Sequence, residues 1–255
     1  MFIPLTAVTT FLGLVVMVAA WAYVAYRIEH VHAVVLGPVK LLHRFFWQMA
    51  VFFFLMSLPY YWLATSPDQF PLAMAWGYVL GHIFLYLAFM SIARMTCAVV
   101  PKLNQWDRPV VWIWSVITAV LTGINAVTMI WGTRPSFDYI NNITQFNAAV
   151  PVGAGIGLMA AISILPAAIL FIINAFKTRG PRRVRSLLLG VGFFIMMTAG
   201  PLHDVARTGV VYAFADVVTI LSIIVVGIGV AYRLEQSLAV AQPAAPVVAP
   251  SSNTV

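Results

Sequence analysis

Charge is scarce in this chain. Charged residues make up 8% of its 255 residues and hydrophobic residues 62%, and only seven residues are acidic. This leaves too little polar surface to solvate a globular fold of this size, so the composition excludes a water-soluble domain. The net charge of +7 is what correct membrane insertion requires, and nucleic acid is not an expected partner.

Cysteine and lysine are nearly absent as well. The single cysteine, Cys97, excludes a disulfide framework and a two-thiolate metal motif. The three lysines, Lys40, Lys102 and Lys177, all fall outside the long apolar segments. Because an opsin needs a buried lysine for its Schiff base, retinal is excluded as a cofactor.

Long apolar segments are what the chain has in abundance. A bilayer core of roughly 30 Å needs about 20 helical residues, and seven segments reach that length. They lack the alternation of a barrel, so we expect an all-α integral membrane protein with a seven-transmembrane-helix bundle in residues 1–236. The Ala- and Pro-rich residues 237–255 predict a disordered cytoplasmic tail. The predicted spans are Leu5–Tyr26, Phe45–Ala64, Ala73–Cys97, Val110–Trp131, Val152–Phe176, Leu187–Val205 and Val210–Tyr232.

The basic residues between these spans predict the orientation. Lys and Arg collect on the cytoplasmic side of membrane proteins, and twelve of the fourteen follow spans one, three, five and seven or sit at those helix ends. Arg134 and Arg207 are the two exceptions. We therefore expect the N-terminus outside and the C-terminus in the cytoplasm.

Three irregular features modify this outline. Residues 27–44 are apolar and basic with a Gly-Pro break, which predicts a segment lying in the membrane interface. Residues 132–153 form the longest exterior stretch, either a lid over the bundle or a plain connector. Pro59, Pro166 and Pro201 predict helix kinks.

Ionisable and strongly polar side chains inside spans are costly, so each is a candidate for function. Most of them fall in the predicted outer half, which indicates a polar pocket open to the outside. Asp216 needs a partner, for which His203 and Arg207 are alternatives, and Asp204 with Arg207 is alternatively a structural clamp at the helix end. The candidate pocket residues are His82, Asn125, His203, Asp204, Arg207 and Asp216, with Tyr78, Tyr86 and Tyr212 beside them.

Histidine also raises the question of cofactors and metals. His82 and His203 are the only intramembrane pair that fits a b-type haem, and their expected depths differ by roughly 4–9 Å. His30, His32 and His43 make a metal site at the cytoplasmic face conceivable, although contact with headgroups or solvent is the favoured interpretation. No serine, cysteine or paired-carboxylate arrangement indicates catalysis.

A basic cluster precedes the sixth span. Basic residues near a bilayer surface attract anionic lipid headgroups, each by on the order of 1 kcal/mol. The cluster consists of Lys177, Arg179, Arg182, Arg183 and Arg185.

The whole chain resembles the seven-transmembrane-helix input modules of bacterial sensor proteins. The resemblance lies in the segments RRVRSLLLGVGFF, before and within span six, and GVAYRLEQSLA, leaving span seven. It implies a non-enzymatic, receptor-like protein in a bacterial inner membrane that acts through a protein partner. A membrane subunit of a redox complex, holding a haem or quinol near His82 and His203 or serving only as a scaffold, is the alternative. A small transporter is the third hypothesis, and it lacks an evident polar path.

Overall fold

The computed structural model describes residues 5–31, 37–141, 143–206 and 208–232. It is 88% helical, with six helices long and apolar enough to cross a membrane and a shorter apolar one at Phe11–Tyr26. An all-α, polytopic membrane protein is therefore confirmed, whereas the count of seven spans and their direction stay predictions. The predicted tail, residues 237–255, lies outside the described residues.

The helices follow the apolar segments and run beyond them at most ends. Between α5 and α6 the chain continues as a π-helix, Ala126–Gly132, and a two-stranded hairpin. The elements are α1 (Leu5–Val31), α2 (Gly37–Ser57), α3 (Pro59–Thr65), α4 (Phe70–Val99), α5 (Asp107–Asn125), β1 (Ser136–Asp138), β2 (Ile143–Gln145), α6 (Val150–Lys177), α7 (Gly180–Val205) and α8 (Gly209–Ala231).

The structure bears on two sequence expectations about the second span, one at its start and one at its end. Residues 37–44 of the predicted interfacial segment are helical, because Gly37 starts α2 and the basic Lys40 and Arg44 lie in its first turns; their position at the membrane interface stays a prediction. The kink at Pro59 is confirmed: α2 ends at Ser57 and α3 starts at Pro59. Pro166, in contrast, lies inside a continuous α6.

The helices form a ring. In order, α1, α2, α4, α6, α7 and α8 each pack on the next, and α8 returns to α1, while α5 packs outside on α4 and more lightly on α6. The bundle has two ends. We call the end with the β-strands the hairpin end, and the opposite end, which carries the α4–α5 and α6–α7 turns, the basic end.

Aromatic side chains fill the centre of the ring. The ring of Trp21 on α1 lies 5.7 Å from that of Phe45 and 5.3 Å from that of Phe46 on α2. Phe45 in turn contacts Phe193 on α7 at 5.8 Å, and Phe193 stacks on Phe171 of α6 at 5.9 Å. One apolar cluster thereby joins four helices.

Glycines bring α7 close to both of its neighbours. A Cβ atom at Gly192 would come within 2.5 Å of Val226 Cγ2 on α8, and one at Gly190 within 2.6 Å of Ile172 Cγ1 on α6. Small residues permit this backbone approach in membrane bundles. The three C-terminal helices therefore form a tightly packed block.

The hairpin folds over one end of the bundle. Its turn is organised by the Asp138 carboxylate, which accepts hydrogen bonds from the side chain and backbone N–H of Asn141 and from the backbone N–H of Ile140. These bonds, the Asn141 side chain first, lower the pKa of Asp138. The Gly209 N–H at the start of α8 donates to the Asn141 carbonyl at 2.7 Å. These contacts favour the lid interpretation over a plain connector.

Candidate functional site

Two of the predicted pocket residues form a close pair at the hairpin end. His203, in the last turn of α7, places Nε2 2.9 Å from Asp216 Oδ1 in the second turn of α8. The side chains are 25% and 14% exposed. The structure shows His203 as a partner of Asp216, whereas Arg207, the other alternative, lies outside the described residues. Tyr212 packs edge-on against the imidazole, with ring centroids 4.9 Å apart.

Both ring nitrogens of His203 have hydrogen-bond partners. Its Nδ1 lies 2.9 Å from the carbonyl oxygen of Ala199. Because a carbonyl only accepts, Nδ1 carries a proton and donates it. The second bond joins the other ring nitrogen, Nε2, to the Asp216 carboxyl, so both nitrogens of His203 are held by the protein.

The other two charged candidates are only partly described. Asp204 has its backbone in the last turn of α7, and its side chain lies outside the described residues. Arg207 lies outside them altogether. A clamp between these two residues therefore stays a prediction.

A second group of candidates lies on α4. Tyr78, His82 and Tyr86 are one turn apart and buried. The imidazole of His82 stacks on the Tyr78 ring at 3.7 Å and meets the Phe52 ring edge-on at 5.4 Å. His82 Nδ1 donates to the Tyr78 carbonyl at 2.8 Å. This bond fixes the ring and leaves Nε2 as the nitrogen that a ligand can meet.

Asn125 faces this group from α5. It is 0% exposed and is the last α-helical residue before the π-helix. Its side-chain amide lies beside the Tyr86 hydroxyl, yet neither group completes a hydrogen bond. The buried hydroxyl of Thr122, one turn before Asn125, is unpaired too. Buried polar groups are nearly always paired, so such a concentration requires an explanation.

The hairpin and the residue after it connect the two groups. Tyr60 on α3 shares a 2.8 Å hydrogen bond with Thr144 of β2, and the Asn141 carbonyl of the same hairpin accepts from the Gly209 N–H of α8. Two positions after Thr144, the Phe146 ring contacts that of Tyr78 at 5.0 Å. The sequence interpretation missed Tyr60, Thr144 and Thr122, because a tyrosine or threonine in an apolar or loop segment carries no distinctive pattern.

The structure also bears on the histidine hypotheses. Iron ligation through His203 Nε2 would require its bond to Asp216 to break. His43 accepts a hydrogen bond from Trp47 Nε1 at 2.9 Å, while the side chains of His30 and His32 lie outside the described residues. Within the described part of the chain, no group of three His, Cys, Asp or Glu side chains is placed to hold a metal ion.

The predicted headgroup cluster lies at the basic end, where α6 turns into α7. Gly180, with φ of 61°, makes this turn, and Asn174 Nδ2 donates to Ser186 Oγ at 2.7 Å across it. Four of the five basic side chains are exposed and one is half-buried. These are Lys177, Arg179, Arg182 and Arg183, with Arg185 half-buried.

Comparison of the chain with protein-family models, with curated proteins and with solved structures finds no match. The function is therefore argued from the geometry.

Proposed function

We propose that the protein is a receptor-like, non-enzymatic membrane sensor whose input site is the His203–Asp216 pair beneath the hairpin. It acts on a protein partner at the basic end, and the N-terminus and hairpin lie outside the cell in this proposal. A bacterial inner membrane is its proposed location. The observation that carries the proposal is the 2.9 Å His203–Asp216 contact at an end covered by a segment bonded to α8.

The geometry supports a path from this site to the opposite end. The Asn141 carbonyl of the hairpin turn binds the first residue of α8, Gly209, and Asp216 lies two turns further along that helix. A ligand that competes for the His203–Asp216 hydrogen bond, or that displaces the hairpin, changes the contacts of α8. Since α8 and α7 touch through Gly192, the two helices would transmit the change together.

Ligand binding tests this proposal directly. Protein in lipid nanodiscs is screened by thermal unfolding against small amines, carboxylates and sugars at millimolar concentration. We expect a compound that stabilises the wild type and Asp68→Asn but not Asp216→Asn. Asp68 is the matched control because it is an exposed carboxylate at the same end. Equal stabilisation of both variants would contradict the proposed site.

The redox alternative rests on one observation, the fixed orientation of His82 by the Tyr78 carbonyl, which suits an axial ligand. Absorption spectra of oxidised and dithionite-reduced protein, with His82→Ala and His203→Ala alongside, decide this point. A reduced b-type band lost in both variants would replace the sensor proposal. Bands independent of these histidines would reject this haem site.

We also propose that the basic turn between α6 and α7 contacts anionic lipid headgroups. Its support is the exposure of Arg182 and Arg183 together with Phe176, which is 76% exposed and immediately precedes Lys177. An apolar ring beside exposed cations fits a position at the membrane surface. Retention of phosphatidylglycerol by native mass spectrometry should fall in R182Q/R183Q and not in the control K102Q/R108Q.

A further inference from the structure

The polar groups between α4 and α5 form a feature distinct from the proposed input site. Tyr86 Oη, both amide atoms of Asn125 and Thr122 Oγ are buried without hydrogen-bond partners. His82 lies one turn from Tyr86, with ring centroids 6.0 Å apart, and keeps Nε2 available. A π-helix starts directly after Asn125, and such irregular turns occur frequently at functional sites.

We propose that these residues form a binding site for the ring of a neutral, lipid-soluble compound that carries carbonyl or hydroxyl groups, the chemistry of a quinone or quinol. The hydroxyls of Tyr86 and Thr122 both donate and accept, and the amide of Asn125 supplies a separate donor and acceptor. Together they match a ligand carbonyl or hydroxyl and provide no charge for an ion.

The surrounding side chains favour a planar ligand. The rings of Tyr78, His82 and Tyr86 follow one another along α4, and the Phe52 ring on α2 meets His82 edge-on. Aromatic rings pack favourably on planar groups in stacked or edge-on geometry. A flexible aliphatic chain would gain nothing specific from this arrangement.

The position of α5 favours entry from the membrane. This helix packs on α4 and only lightly on α6, and its outer face is apolar and exposed, with Trp112 at 74%. The unpaired atoms have almost no accessible surface, so the site is closed in this structure. A ligand therefore enters by separating α5 from α4, from the hydrocarbon side.

The experiment uses the full-length protein in nanodiscs and decylubiquinone as the probe, with quenching of tryptophan fluorescence as the readout. Partition into lipid gives a linear dependence on probe concentration, whereas a site adds a saturable component. We expect the saturable component in the wild type and in Thr128→Val, a control whose hydroxyl bonds its own helix. Asn125→Leu should abolish it, and Tyr86→Phe should weaken the affinity about tenfold, as loss of one hydrogen bond does.

Two comparisons identify the source of any binding. Dodecylbenzene, which has a ring and tail but no oxygen, should not displace the probe, whereas displacement by dodecylphenol would identify a ring hydroxyl, and not the quinone oxidation state, as the recognised feature. Linear quenching alone, or an equal saturable component in Asn125→Leu, would overturn the proposal. Circular dichroism and gel filtration of Asn125→Leu and Tyr86→Phe confirm that both variants fold.

Discussion

Asn125→Leu should make the protein more stable. The amide of Asn125 is 0% exposed, and neither its nitrogen nor its oxygen forms a hydrogen bond. A buried polar group left without a partner costs about 1–3 kcal/mol, and an apolar side chain of similar volume removes that cost. Leucine has the same number and branching of heavy atoms as asparagine, so the expected gain in the free energy of unfolding is about 1–3 kcal/mol.

Thermal unfolding in nanodiscs without added ligand measures this gain. For a chain of this length each kcal/mol corresponds to about 2–4 °C in the midpoint. Asn174→Leu is the matched control, because Asn174 donates a 2.7 Å hydrogen bond to Ser186 and its replacement should lower stability by about 0.5–1.5 kcal/mol. A lower midpoint for Asn125→Leu would refute the reasoning, since it would show that the amide is paired.

Three further outcomes follow from helix packing, from an ion pair and from the hairpin turn. Gly192→Ala should destabilise the protein by about 1–3 kcal/mol through overpacking, whereas Gly157→Ala, with nothing within 4 Å of the added Cβ, should be neutral or stabilising in the same unfolding assay. Arg94→Ala should cost about 1 kcal/mol or less, since its 2.7 Å pair with Asp107 is partly exposed, and a double-mutant cycle with Asp107→Ala measures the coupling. The pKa of Asp138 is lowered in the folded protein, so its contribution to the stability of the hairpin is present above the unfolded pKa. That contribution is lost as pH falls through the folded pKa. Amide hydrogens of the turn should therefore lose protection from exchange on strong acidification, once the intrinsic pH dependence of exchange is corrected for.

Apolar length was sufficient to predict where the helices lie. A continuous apolar segment has one stable form in lipid, and a proline without an N–H interrupts it, so both α4 and the break at Pro59 follow from local chemistry. The start of α2 did not follow, because the Gly37-Pro38 break and the basic Lys40 predicted a separate segment in the membrane interface. Only packing on the neighbouring helices makes these residues the first turns of a span.

The candidate site was likewise predicted only in part from the sequence. The cost of a carboxylate inside a span predicted that Asp216 needs a partner, but the choice of His203 depends on how the ends of α7 and α8 meet. Asn125 and His82 were predicted on polarity alone, yet the sequence placed them in one pocket with Asp216. The structure places the Asn125 amide beside Tyr86 of α4 and packs His82 against Phe52 of α2, because helix rotation is set by packing and not by depth.

The ring of helices has a consequence for how the chain assembles. Most packing joins helices that are neighbours or near neighbours in sequence, such as α1 with α2 and α7 with α8, so these contacts form as each new helix enters the membrane during synthesis. The contact of α8 with α1, where Gly227 approaches Val24, joins the two ends of the chain. We therefore expect closure of the ring to be the last step of folding, with the aromatic core around Trp21 open to lipid on one side until then.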